Sequence, residues 1–172
     1  TSQMWILKLY ADGVIDWQIA LRGNSDDVAR SIRETSDGGY IVAGYTYSFG
    51  TSGSDVWIVK LGPEGTVAWQ RTYGGSGDDE AYAIQQTLDG GYVVAGTTSD
   101  NFWVLKLKSN GFIEWQKSYS TGAGIEIARS IQQTADGGYI VAGERDYSFY
   151  WVLKLNTDGT ITWQNLFNPG GF

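Results

Sequence analysis

The stretch Ser130-Ile-Gln-Gln-Thr-Ala-Asp-Gly-Gly-Tyr-Ile-Val-Ala-Gly143 leads, eight residues on, to Trp151-Val-Leu-Lys-Leu155 and then to Trp163-Gln164. Its apolar residues come in short runs broken by glycine, with no sustained helical period, which reads as strands joined by tight turns. The same phrase recurs along the chain. Trp5-Ile-Leu-Lys-Leu9, Trp57-Ile-Val-Lys-Leu61 and Trp103-Val-Leu-Lys-Leu107 match the first Trp segment, at periods of 52, 46 and 48 residues. Trp17-Gln18, Trp69-Gln70 and Trp115-Gln116 match the second, always twelve residues after the first Trp. Asp37-Gly-Gly-Tyr-Ile-Val-Ala-Gly44 and Asp89-Gly-Gly-Tyr-Val-Val-Ala-Gly96 match the glycine-rich phrase.

Each period divides into four short strands, here a (29–35 and equivalents), b (40–44), c (57–61) and d (67–70). Strands b and c are apolar at nearly every position, as expected of strands buried on both faces. In strand d, Ile15 and Trp17, Val67 and Trp69, Ile113 and Trp115, and Ile161 and Trp163 alternate and are expected to share a face. Asp-Gly-Gly marks the a–b turn, and Asp12-Gly13, Glu64-Gly65, Asn110-Gly111 and Asp158-Gly159 mark the c–d turns. Four-stranded antiparallel units at such a period predict an all-β fold, a β-propeller of three full blades plus an N-terminal half blade. One domain is expected over 1–172, with the half blade at about 4–22 and blades at about 28–73, 80–119 and 127–167.

The spacing within the repeat separates scaffold from loops. From the strand-a Ile to the strand-b Tyr is always 8 residues, whereas the strand-b Gly precedes the strand-c Trp by 13, 7 or 8. In a meander the b–c and d–a loops emerge on one face, so the length variation lies on that face, where binding is usually carried.

Residues 130–143 resemble the repeats of secreted bacterial and archaeal propeller proteins of the type Ser-Ile-Gln-Gln-Thr-x-Asp-Gly-Gly-Tyr-Ile-Val-Ala-Gly, and 83–96 differ slightly. Residues 31–44 carry Arg33-Glu34 where the others have Gln-Gln. The c–d segments are also similar to the tryptophan-docking repeat of quinoprotein-like propellers. Their hairpin is one residue shorter and the Gly lacks the following Lys, departures that weigh against carrying quinone binding over. The resemblance implies an extracellular or cell-surface interaction module.

The strand order is c-d followed by three sets of a-b-c-d, up to Asn168-Pro-Gly-Gly-Phe172. Two expectations compete: a piece of a longer propeller, or closure by self-association. The second is favoured, a homodimer of six full and two half blades, because open end blades would expose large apolar faces. The opening Thr1-Ser2-Gln3-Met4 looks trimmed, so the lack of a signal peptide carries no weight.

With no Cys and no His, most nucleophile–base pairs and transition-metal sites are ruled out. A net charge of −7 argues against nucleic acid and anionic membrane surfaces, and no apolar run is long enough to span a bilayer. Features present in every repeat read as structural: the Trp-Gln pairs as inter-blade packing with the indole N–H on a backbone partner, and Lys8, Lys60, Lys106 and Lys154 as stems reaching an acidic or Gln partner. The d–a loops carry Asp26, Asp27, Asp78, Asp79 and Glu80, with only Glu126 in the third. Such oxygen-rich loops suit Ca²⁺ or, as the weightier reading, turn capping; a carboxylate pair for glycoside hydrolysis ranks last. No other cofactor is expected. The b–c loops offer Tyr45, Tyr47, Phe49, Asp100, Asn101, Arg145 and Tyr147, aromatic platforms beside polar groups that suit a carbohydrate or protein ligand. The expected function is therefore non-catalytic binding or scaffolding. The alternatives are a structural block of a larger surface protein, or an enzyme built on carboxylates or a quinone.

Overall fold

The computed structural model describes residues 1–122, 124–168 and 170. Its strands are β1 (Met4–Leu9), β2 (Ile15–Leu21), β3 (Asp27–Glu34), β4 (Tyr40–Thr46), β5 (Asp55–Leu61), β6 (Val67–Tyr73) and β7 (Asp79–Gln86). They continue as β8 (Tyr92–Thr98), β9 (Asn101–Leu107), β10 (Ile113–Tyr119), β11 (Glu126–Gln133), β12 (Tyr139–Arg145), β13 (Phe149–Leu155) and β14 (Ile161–Phe167). The fold is all-β: β1–β2 form a two-stranded sheet, and β3–β6, β7–β10 and β11–β14 form three four-stranded antiparallel sheets, packed like blades. The a-type strands β3, β7 and β11 touch in sequence and so lie nearest the axis of the fan. Strands run two or so residues beyond the apolar cores, because ladder pairing continues to Asp27–Thr46 and Thr46–Asp55 at the loop face.

One device builds every a–b turn. Asp37 accepts from the Thr35 hydroxyl at 2.5 Å, the Gly39 N–H at 3.1 Å and the Lys60 ammonium at 2.9 Å. Thr87, Asp89, Gly91 and Lys106 repeat it, as do Thr134, Asp136, Gly138 and Lys154. The recurring lysine is thus a buried stem whose ammonium ties strand c to its own turn. The Thr35 hydroxyl and Lys60 hold the Asp37 carboxyl well below the carboxylate range, and Thr134 and Lys154 do the same for Asp136. Burial alone would raise Asp89, but Lys106, Thr87 and the Gly91 N–H pull it down to about 2.

Two β-bulges per blade alter the expected faces. In strand d, Trp69 pairs with Lys60 and Val67 with Leu61, leaving Ala68 over; Asp16, Glu114 and Thr162 are left over likewise. Because Lys60 and Leu61 point to opposite faces, Trp69 and Val67 do too, and the expectation that each Ile/Val–Trp pair shares a face is corrected. One inserted residue reverses the alternation without changing the sequence pattern on either side. A second bulge leaves Arg30, Tyr82 and Arg129 unpaired in the a-type strands.

Three apolar layers fill the gaps between neighbouring sheets. Trp17, Trp69 and Trp115 each pack beneath the c–d turn of the next sheet. A methyl group on Gly65, Gly111 or Gly159 would meet Trp17, Trp69 or Trp115 within 3 Å, so these turns must be glycine. Trp17 donates to the Pro63 carbonyl at 3.0 Å and Trp115 to that of Thr157 at 3.1 Å, as the recurrence predicted. Tyr73 and Tyr119 add hydroxyl donations to the Gly111 and Gly159 carbonyls at 2.5 and 2.6 Å. At the two ends the docking has no counterpart. Trp163 is exposed, a methyl group on Gly13 would meet nothing within 4 Å among the described residues, and Trp5, Leu7 and Leu9 are exposed where Trp57, Val59 and Leu61 are buried.

Candidate functional site

The b–c and d–a loops form one continuous surface, joined by hydrogen bonds. Tyr47 N–H donates to the Asp26 carbonyl, Ser25 N–H to the Ser48 hydroxyl and Ser54 N–H to the Asp78 carboxylate. Ser99 N–H reaches the Asp78 carbonyl, and Ile125 N–H the Asp146 carboxylate. The loops whose lengths vary along the chain therefore share a face, and each b–c loop braces the d–a loop beside it.

The seven aromatic and polar candidates sit on this face in three separate b–c segments. Tyr45 and Tyr47 meet edge to face at 5.8 Å, while Phe49 turns back onto Trp57 at 5.4 Å. Phe49 also borders a groove of about 660 Å³ lined by Gln70 to Tyr73 of β6 and by Phe112 and Ile113 of the next blade. Asp100 and Asn101 belong to a two-residue hairpin, where the Asp100 carbonyl accepts from Glu126 N–H and the Asn101 amide donates to the Ser99 carbonyl. Arg145 stacks on Phe149 at 4.4 Å and lies 3.6 Å from Asp146. Tyr147, 69% exposed, projects from the turn beyond it. Ser99 and Asp100 have φ of 45° and 67°, the left-handed region that a two-residue hairpin turn requires, and Asp146 and Tyr147 take 51° and 55° in the three-residue loop before β13, where glycine or asparagine would fit most cheaply.

The five acidic candidates are distributed between two loops. Asp26 is exposed and accepts from Ser2 N–H. Asp27 is buried and satisfied by the Thr46 hydroxyl at 2.5 Å, the Gly23 N–H at 2.7 Å and the Ser48 hydroxyl at 3.1 Å. Asp78 takes Ser54, and Glu80 accepts from the Tyr82 hydroxyl at 2.5 Å and lies 3.7 Å from Arg30. Asp79 is buried, with one oxygen on the Gly75 N–H at 2.7 Å and the other without a protein partner. Asp27, Asp79 and Glu126 thus share one role, entering strand a as buried acceptors for loop donors. Among the described residues no group of three or more acidic side chains is placed to hold a metal ion, and no helix is long and apolar enough to cross a membrane.

Two features were not legible in the residue pattern. Asp55, two residues ahead of the strand-c Trp57, is buried, and it faces Asp79 across Gly74, whose Cβ position lies 2.4 Å from one carboxylate and 2.6 Å from the other. Near the axis, Tyr82 is sandwiched between Arg30 and Arg129, at 5.1 and 4.3 Å. Burial, then the bond to Glu80, pushes the Tyr82 hydroxyl up to about 12, so it stays protonated. Arg129 is also fixed by Glu144. The one available signal for this stack was the Arg, Tyr, Arg variation at an otherwise constant strand-a position.

No family model matches the chain, and no curated protein does. Thirteen chains of solved structures match. One is a protein of unknown function from Bacteroides caccae, 13% identical, with a TM-score of 0.54 over 96% of this chain and 73% of that one. At that identity the likeness concerns the fold: repeated four-stranded antiparallel sheets arranged as propeller-like blades.

Proposed function

We propose that this chain is a non-catalytic binding module of an extracellular or cell-surface protein, and that the face made by its b–c and d–a loops takes a protein or carbohydrate ligand. The observation that carries this reading is where backbone strain is kept. Among the described residues, all four non-glycine residues with left-handed φ lie in b–c turns of this face. Each such residue costs about 1–2 kcal/mol relative to glycine. Cost retained at exposed side chains, Tyr147 above all, fits a surface selected for what it presents. Tyr47 and Tyr147 offer rings and hydroxyls, Tyr45 a ring stacked under Arg30, and Asp100, Asn101 and Arg145 add polar groups on the same loop face, a chemistry that suits neutral sugars or an extended protein loop. The likeness of the repeat to secreted propeller proteins supports the extracellular placement. The absence of His and Cys from the sequence weighs against acid–base or thiol chemistry.

A second reading is favoured by the exposed apolar ends, Trp5, Leu7 and Leu9 at one and Trp163, Leu166 and Phe167 at the other. There the chain serves as a structural block within a larger surface assembly, or self-associates. A glycan array and a displayed peptide library, screened with the wild-type chain and with Tyr47→Ala and Tyr147→Ala, test the primary reading. Capture that falls at least tenfold in either variant supports it. Capture indifferent to both, or turnover of a captured glycan, overturns it.

A further inference from the structure

Among the described residues, strand β1 is hydrogen-bonded on one side only, to β2, whereas β5, β9 and β13 at the same position in their blades each pair also with a b-type strand. The free side opens onto a groove of about 290 Å³ lined by Trp5, Ile6, Leu7, Ala29, Ile32 and Val42. Ile32 is 42% exposed, while its equivalents Ile84 and Ile131 are 2% and 7% exposed beneath the preceding blade. Arg30 also lines it, and two charged residues close by in sequence, Lys8 and Glu34, stand at positions whose partners are known from the complete blades. Lys60, Lys106 and Lys154 each hold the aspartate of an a–b turn, with side chains 6%, 3% and 15% exposed. Lys8 is 38% exposed and rests on Asp16 of the neighbouring strand instead. Gln86 and Gln133 accept backbone N–H groups from the preceding a–b turn, at Ser36 and Leu88. The equivalent residue in the blade beside the groove is Glu34, exposed, with no such turn to meet.

We infer that this groove is an acceptor for a β-hairpin with an acidic turn of the Asp-Gly-Gly kind, supplied by a polypeptide outside residues 1–172. One strand of the hairpin adds to the free edge of β1 through main-chain hydrogen bonds. Its apolar side chains cover Ala29 and Ile32, its turn aspartate takes Lys8, and a turn N–H reaches the Glu34 carboxylate. Charge complementarity and the three internal hairpins on equivalent surfaces specify this occupant. A second copy of the chain has none to spare, since each of its a–b hairpins is already paired within its own blade. The assignment is independent of the loop-face ligand.

The probe is a synthetic peptide of residues 126–145, the chain's own third hairpin, added to the intact chain and followed by hydrogen exchange of the β1 amides. A free hairpin is marginally ordered in water, so a second arm joins the same segment ahead of Ser2 through a flexible linker. The expected result is exchange at Trp5 to Leu9 slowed about tenfold or more in at least one arm. Asp136→Asn in the hairpin or Lys8→Met in the chain should reverse most of that protection, by about tenfold, as loss of a largely buried charged hydrogen bond does. Unchanged β1 exchange in both arms overturns the inference. So does protection indifferent to Asp136 and Lys8, or β1 protection already present without a hairpin in a chain of doubled mass.

Discussion

Replacing Gly159 by Ala tests how the blades are joined, because the chain carries its own control at Gly13. Both glycines occupy the same place in a c–d turn, with φ of +79° and +84°, so alanine meets similar backbone strain at each, about 1–2 kcal/mol. Around Gly13 a methyl group meets no atom within 4 Å. At Gly159 it lies 2.8, 3.0 and 3.1 Å from three atoms of the Trp115 ring, the first closer than real Cβ atoms come and the other two tight. The ring or the turn must move, and two inter-blade hydrogen bonds depend on their fit: Trp115 to the Thr157 carbonyl and Tyr119 to the Gly159 carbonyl. At about 0.5–1.5 kcal/mol net for each bond, docking adds about 2 kcal/mol to the strain. Gly159→Ala should therefore be about 2 kcal/mol less stable than Gly13→Ala in urea unfolding followed by far-UV circular dichroism. For a chain of this length that corresponds to about 4–8 °C in Tm. Equal losses in the two variants would refute the claim that the strand-d tryptophans latch neighbouring blades.

Other consequences follow from the side-chain chemistry. Asp37, Asp89 and Asp136 have folded pKa values below the unfolded value near 3.9. Their stabilisation is thus complete above about pH 4 and is lost as pH falls through about 2 and below; a Tm flat from pH 6 to pH 2 would contradict the turn chemistry. Asp79→Asn removes one of two buried charges that approach each other across Gly74, while its amide oxygen can keep the Gly75 N–H, and should raise stability by about 1 kcal/mol, measured by denaturant midpoint; a loss would show that the charge is needed. Tyr147→Gly relieves left-handed strain and should gain about 1 kcal/mol while lowering ligand capture; unchanged capture in the same screen would remove Tyr147 from the site.

What could be read from the residues was what depends on near neighbours in the chain. Four strands per period, the Asp-Gly-Gly and Asx-Gly turns, and the buried lysine stems follow from alternation, glycine placement and repetition, all of them local. The shared loop face followed too, because loop lengths vary only at b–c and d–a. Tertiary structure decided the rest. An inserted residue such as Ala68 or Arg30 is silent in the sequence, yet by shifting the pairing register it turns Val67 away from the face of Trp69 and leaves Arg30 and Tyr82 close enough to stack. Asp55 stands outside the apolar run of strand c, and its approach to Asp79, 24 residues later and in the next blade, depends on a glycine between them that no local pattern announces. The open edge of β1 was likewise a matter of three dimensions. Its residues repeat those of β5, β9 and β13, and only the neighbour beside it differs.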